Sequence, residues 1–159
     1  MEIQALHNWI TNPNEPLIVA GPCGAETETQ VLQTAAELAK IESIKLFRAG
    51  IWKPRTRPGS FEGVGTKGLP WLQKAKELTG LPVAVEVATG KQVEDALHFG
   101  VDVLWIGART TVNPFSVQDV AAKVNAQISR FQLNGRIHGR AIPAQLGVND
   151  TGVEHLNRA

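Results

Sequence analysis

Residues 83–109, VAVEVATGKQVEDALHFGVDVLWIGAR, decide the fold. The first five residues, VAVEV, are apolar apart from Glu86, which is the signature of a strand buried on both faces. Residues 91–99 then read as a short helix closed by Gly100. Residues 103–106, VLWI, form the next buried strand, followed at once by Gly107, Ala108 and Arg109. Strand, helix, strand with glycine stops is the repeat of a parallel α/β fold.

Outward from this unit the same pattern recurs. Residues 17–21, LIVAG, are a continuous apolar run that predicts another strand buried on both faces. Residues 27–40 carry Val31, Leu32, Ala35, Ala36, Leu38 and Ala39 on a helical stripe, with Thr27 as its N-cap. Residues 44–47 are the next strand, and residues 68–79 a helix with Leu69, Leu72, Ala75 and Leu78 at helical intervals, closed by Gly80. A last helix is predicted from Ser116 to about Ile128. The domain reading is an N-terminal cap over residues 1–15, with Ile3, Leu6, Trp9 and Ile10 at helical spacing, then an α/β unit of about four strand–helix repeats over 16–127. Residues 128–159 are a tail that departs from the pattern.

The 16 basic and 15 acidic residues nearly cancel, so the global charge points to neither nucleic acid nor a membrane surface. No stretch is long and apolar enough to span a bilayer, and the start lacks a signal-peptide pattern, so a cytoplasmic location is expected. The single cysteine excludes an internal disulfide, which leaves Cys23 as a core thiol, a nucleophile or a metal ligand.

Positive charge is instead concentrated in residues 47–65, FRAGIWKPRTRPGSFEGVG, where Arg48, Lys53, Arg55 and Arg57 share one loop. Guanidinium groups match phosphate and carboxylate in a bidentate fashion, and Lys53 adds a point charge. A solvated basic loop is the alternative, but Pro54 and Pro58 stiffen this one and the spacing is not that of a helix face. Cys23, the basic loop and Arg109 all follow strands, and parallel folds bind ligands at the C-terminal edge of the sheet. Glu86, within its strand, could project toward the same place. Trp52, Trp71 and Trp105 are expected to pack rather than to recognise a ligand.

Four segments together, AGPCGAE (20–26), FRAGIWKPRTRPGSFEGVG (47–65), VEVAT (85–89) and IGARTTVNPF (106–115), resemble the 3-deoxy-D-arabino-heptulosonate 7-phosphate (DAHP) synthases of the type I beta kind. The tetrad KPRT (53–56) separates them from the sister family making 3-deoxy-octulosonate 8-phosphate, which has an asparagine-containing motif there. The resemblance implies a (β/α)8 TIM barrel that condenses phosphoenolpyruvate with erythrose 4-phosphate and releases phosphate, the step that opens the shikimate pathway to the aromatic amino acids.

By the same resemblance Cys23 is one ligand of a divalent metal (Mn, Fe, Co or Zn). Arg48, Lys53, the backbone of Ala108 and Arg109 hold phosphoenolpyruvate; Arg55 and Thr56 hold erythrose 4-phosphate; Lys53 and Glu86 are the catalytic pair. The family's barrel has eight strands and this sequence supplies four convincing ones, with no apolar fifth run, no lysine after it and none of the later metal ligands in 128–159. His138 and His155 of that tail read as solvated side chains. The alternative is therefore a truncated, catalytically inactive half-barrel that binds phosphorylated small molecules or a partner subunit. Uncovered sheet edges make a homo-oligomer the expected state.

Overall fold

The computed structural model describes residues 16–55, 57, 59–133 and 145–148. Strands and helices alternate: β1 Ile18–Ala20, α1 Glu28–Leu38, β2 Ile44–Arg48, α2 Leu69–Thr79, β3 Val83–Glu86, α3 Gly90–His98, β4 Val103–Ile106, a one-turn α4 Ala108–Thr111, α5 Pro114–Leu133 and β5 Gln145–Val148. A 3-10 turn, Gly65–Gly68, leads into α2. All strands pair in parallel, and their spatial order is their chain order, β1-β2-β3-β4-β5. Each strand lies beside its predecessor, which is the arrangement of a barrel wall; a doubly wound sheet would reverse direction at a switch point.

The helix ends obey local chemistry. The side chain of Thr27 accepts the Gln30 N–H at 3.2 Å and starts α1, and Thr89 does the same for Gln92 at 3.3 Å before α3. Gly80, at φ 72°, ends α2 in the left-handed conformation that the sequence predicts there.

Alternation along the strands divides the sheet into two faces. Phe47, Val83, Val85, Leu104 and Ile106 pack against Val31, Ala35, Leu72, Ala75, Val93, Ala96, Val120 and Val124 of the helices, making the main core. Complete burial of each large side chain in it stabilises by about 1.5–3 kcal/mol. The opposite face holds a smaller cluster, Leu46, Ala84 and Val103 with Leu17 and Trp105 against it. Two residues on from Leu46 and Ala84 stand Arg48 and Glu86, so period two places both charges on the face away from the helices.

Ion pairs and hydrogen bonds tie neighbouring helices. Lys74 meets Glu28 at 2.6 Å between α2 and α1, and Lys123 meets Glu94 at 2.7 Å between α5 and α3. The Gly90 N–H donates to Asp119 Oδ2 at 2.6 Å, so a carboxylate of α5 caps the start of α3. Trp52 is buried, and Trp71 and Trp105 are half-buried against the two clusters, as expected for packing residues.

Three expectations are corrected. The first strand is not buried on both faces: Ile18 is 39% and Val19 42% exposed, because β1 is the edge of the described sheet and has a neighbour on one side alone. The last helix does not stop near Ile128 but runs to Leu133, across the boundary drawn for the tail. The tail also contributes a strand, with Val103↔Gln145 and Ile106↔Val148 in register. QLGV escapes notice as a sequence because two apolar residues in four make no run; its place is set by the exposed edge of β4. The N-terminal cap, His138 and His155 lie outside the described residues. Among the described residues no helix is long and apolar enough to cross a membrane.

Candidate anion-binding site

The residues singled out from the sequence leave the sheet at one edge. Cys23 follows β1, Arg48 ends β2 and opens the basic loop, Glu86 ends β3, and Ala108 and Arg109 follow β4. Parallel strands point the same way, so their C-terminal ends converge whatever the sequence distance between them.

Cys23 and Lys53 meet directly. Lys53 Nζ donates to the Cys23 carbonyl oxygen at 2.6 Å and lies 3.4 Å from Cys23 Sγ. The surrounding turns are stitched together by backbone: Gly50 N–H donates to the Pro22 carbonyl at 3.2 Å, and Ala25 N–H to the Gly50 carbonyl at 3.1 Å. Cys23 is exposed, and the Lys53 ammonium, by hydrogen bond and by charge, holds its thiol below the ordinary range, with the Arg48 guanidinium adding to the effect. The sulfur is thereby biased toward the thiolate, the form that attacks electrophiles and ligates metals.

The basic loop is folded at its base. Lys53 N–H donates to the Glu62 carbonyl at 2.9 Å, and Gly65 N–H to the Ile51 carbonyl at 2.9 Å. Arg55 Nε donates to the Phe61 carbonyl at 2.8 Å, which fixes one edge of the guanidinium of an exposed side chain. Buried Ile51 and Trp52 anchor this segment in the core. Arg57 is exposed, and Thr56 lies outside the described residues.

Glu86 reaches across to the next strand. A Cβ at Gly107 would stand 1.9 Å from Glu86 Oε1, so the carboxylate occupies the space that a side chain would take. Gly107 thus admits the acid beside the turn that carries Ala108 and Arg109. Both of those residues are exposed, and the Gly107 carbonyl is occupied by the N–H groups of Thr110 at 2.9 Å and Thr111 at 3.1 Å.

Chemically the edge offers the guanidinium groups of Arg48, Arg55 and Arg109, the Lys53 ammonium, the Cys23 thiol with its lowered pKa and the Glu86 carboxylate. That set suits a small molecule bearing phosphate and carboxylate. It does not by itself suit a resident metal. Among the described residues no three of His, Cys, Asp and Glu come together, whereas a divalent metal normally takes three or more protein ligands.

Sequence reasoning missed the Phe61 and Glu62 carbonyls and the Gly63 turn behind them. Each acts through backbone, and no side-chain pattern announces it. It also missed that Lys53 rests on the Cys23 carbonyl, a contact across 30 residues of chain.

Comparison with known proteins agrees with the fold. Phospho-2-dehydro-3-deoxyheptonate aldolase of Thermotoga maritima is 36% identical over 96 residues, 60% of this chain and 28% of that protein. The 2-dehydro-3-deoxyphosphooctonate aldolase of Geobacter metallireducens is 40% identical over 111 residues, 65% of this chain and 40% of that protein. The crystal structure of the Thermotoga maritima phospho-2-dehydro-3-deoxyheptonate aldolase (DAHP synthase) superposes with a TM-score of 0.57 at 29% identity, over 69% of this chain and 30% of that one. The chain therefore spans 28–40% of the length of these curated relatives, and its sheet corresponds to part of a barrel. The sequence model of the DAHP synthetase I family matches residues 3–129, through every element from β1 into α5, and this chain belongs to that family.

Proposed function

We propose that this chain provides the phosphoenolpyruvate-binding part of a 3-deoxy-7-phosphoheptulonate synthase site. In that reaction a carbon–carbon bond forms between C3 of phosphoenolpyruvate and the aldehyde carbon of erythrose 4-phosphate. Water supplies the oxygen needed at C2, and phosphate leaves. The supporting observation is the placement of Arg48, Lys53 and Arg109 at one edge of a parallel sheet, on and beside the turns that follow β2 and β4. Two anionic groups on one small substrate call for several cations at one mouth.

In this reading Arg48, Lys53, Arg109 and the Ala108 backbone take the carboxylate and phosphate of phosphoenolpyruvate. Arg55 and Thr56 take the phosphate of the aldose. Glu86, on the helix-free face, holds a proton-accepting oxygen near the water that adds. Cys23 is the residue we assign to a divalent metal, and completing such a centre requires further ligands, since among the described residues no three of His, Cys, Asp and Glu come together. A second copy of the chain, placed against the exposed β1 edge, is the partner we propose.

Calorimetric titration of phosphoenolpyruvate, followed by an assay of phosphate release with erythrose 4-phosphate and manganese, tests the reading. Binding that Arg109→Ala weakens at least about tenfold supports it, since charge-assisted contacts to an anion are among the stronger hydrogen bonds. Release that needs both substrates means that a complete site assembles, whereas binding without release means a half-site that holds phosphorylated molecules without turnover. The octonate relatives make a product one carbon longer, so release with a five-carbon aldose phosphate and none with erythrose 4-phosphate would move the chain to that activity. Absence of any binding would overturn the proposal.

A further inference from the structure

We infer that Gly63 is a positioning residue for the anion-binding loop: its bare α-carbon lets the chain return against Ile51, and this sets the Glu62 and Phe61 carbonyls where they hold Lys53 and Arg55. The inference rests on reading that loop as the phosphoenolpyruvate site, and it adds a residue that touches no substrate.

Two observations carry it. A Cβ at Gly63 would lie 2.0 Å from the Ile51 carbonyl oxygen, 2.7 Å from its carbon and 3.2 Å from the Trp52 α-carbon, all backbone atoms of a buried segment that cannot swing aside. Gly63 also has φ +93°, a conformation that side chains disfavour. The residues flanking this contact make the bonds that shape the loop: Glu62 O with Lys53 N–H, Gly65 N–H with Ile51 O, and Phe61 O with Arg55 Nε. A side chain at position 63 would push residues 61–62 away from residues 51–55. Lys53 would then lose the backbone anchor that brings Nζ onto Cys23, and Arg55 would lose the acceptor that orients its fork.

Gly59 is the matched control. It lies in the same loop with φ +77°, but a Cβ there would meet nothing within 4 Å. Gly59→Ala pays the conformational strain alone, and Gly63→Ala pays the strain and the collision.

The experiment uses the full chain and two readouts. In nitrogen-15-labelled protein, hydrogen exchange at the Lys53 and Gly65 amides is expected to accelerate about tenfold or more in Gly63→Ala, with the amides of β2 to β4 unchanged and with little change in Gly59→Ala. In parallel, phosphoenolpyruvate affinity is expected to fall about tenfold or more in Gly63→Ala and to stay within about twofold in Gly59→Ala. In a Lys53→Ala background Gly63→Ala should cost no further affinity, and in an Arg109→Ala background it should cost its full amount. A general loss of structure would not produce that split. Equal losses in the two glycine variants, or faster exchange with unchanged affinity, would overturn the inference. If the unaltered chain binds no phosphoenolpyruvate, the proposed function fails, and faster exchange confined to Gly63→Ala would still place Gly63 as the residue that holds Lys53.

Discussion

Lys53 Nζ stands 2.6 Å from the Cys23 carbonyl oxygen and 3.4 Å from the Cys23 sulfur, so one ammonium is shared between the backbone and the thiol of a residue in another turn. The arrangement orients the lysine and lowers the pKa of the thiol at once. In a group whose folded pKa is depressed, the stabilised anion is present above the unfolded pKa and is lost as pH falls through the folded one. Cys23 is exposed, so the effect is read in reactivity, with little consequence for stability. In metal-free protein, alkylation of Cys23 by iodoacetamide should reach half its plateau rate below the ordinary thiol pH. Lys53→Ala should move that midpoint upward, because the largest cause of the shift is the Lys53 contact. An unmoved midpoint would show that the pair is not formed in solution.

Asp102 should matter more than its salt-bridge partner. Its Oδ1 accepts Lys76 Nζ at 2.6 Å while Oδ2 accepts the Val83 N–H at 2.9 Å, and its side chain is 12% exposed against 38% for Lys76. Asp102→Ala strands a backbone donor at the start of β3 and should cost about 1–3 kcal/mol. Lys76→Ala removes a screened ion pair and should cost under about 1 kcal/mol. Urea unfolding of both variants checks the order, and equal costs would refute it.

Leu72→Ala should be the harsher kind of change. Leu72 is fully buried on α2 in the core cluster beneath β2 and β3. Truncation loses apolar burial and leaves a cavity, for about 2–5 kcal/mol. Leu78 on the same helix is 63% exposed, and Leu78→Ala should stay within about 0.5 kcal/mol. Paired thermal melts compare the two.

The start of α3 has two independent caps, the Thr89 hydroxyl on the Gln92 N–H and the Asp119 carboxylate on the Gly90 N–H. Thr89→Ala should cost about 1 kcal/mol. Asp119→Ala should cost a similar amount and, unlike Thr89→Ala, should weaken the docking of α5. Hydrogen exchange in α5 distinguishes them: faster exchange in Asp119→Ala alone is the expected result.

The parallel strand–helix repeat was legible because each unit carries its own local signals. Thr27 caps, Gly80 and Gly100 stop, and Val83–Glu86 and Val103–Ile106 are short apolar runs. Those signals act within a few residues and survive reading in one dimension. What failed depended on neighbours. LIVAG looks doubly buried, yet Ile18 and Val19 are exposed, because burial of a strand is decided by the strand or helix beside it. QLGV is unremarkable, yet it pairs with β4 from Val103 to Ile106, because an open backbone edge supplies donors and acceptors regardless of side chain.

The same division runs through the candidate site. By itself the sequence determined which chemical groups are available, Arg48, Lys53, Arg55, Arg109, Glu86 and Cys23, and that each follows or ends a strand. The direction common to parallel strands then implied a shared edge. Only the tertiary structure decided that Lys53 rests on Cys23, that Glu86 fills the space left open at Gly107, and that Arg55 hangs on a carbonyl of its own loop. The physical reason is that these contacts run through backbone atoms and through the absence of side chains. Backbone is the same at every position, and a glycine's missing Cβ acquires meaning only when another part of the chain comes to occupy the space.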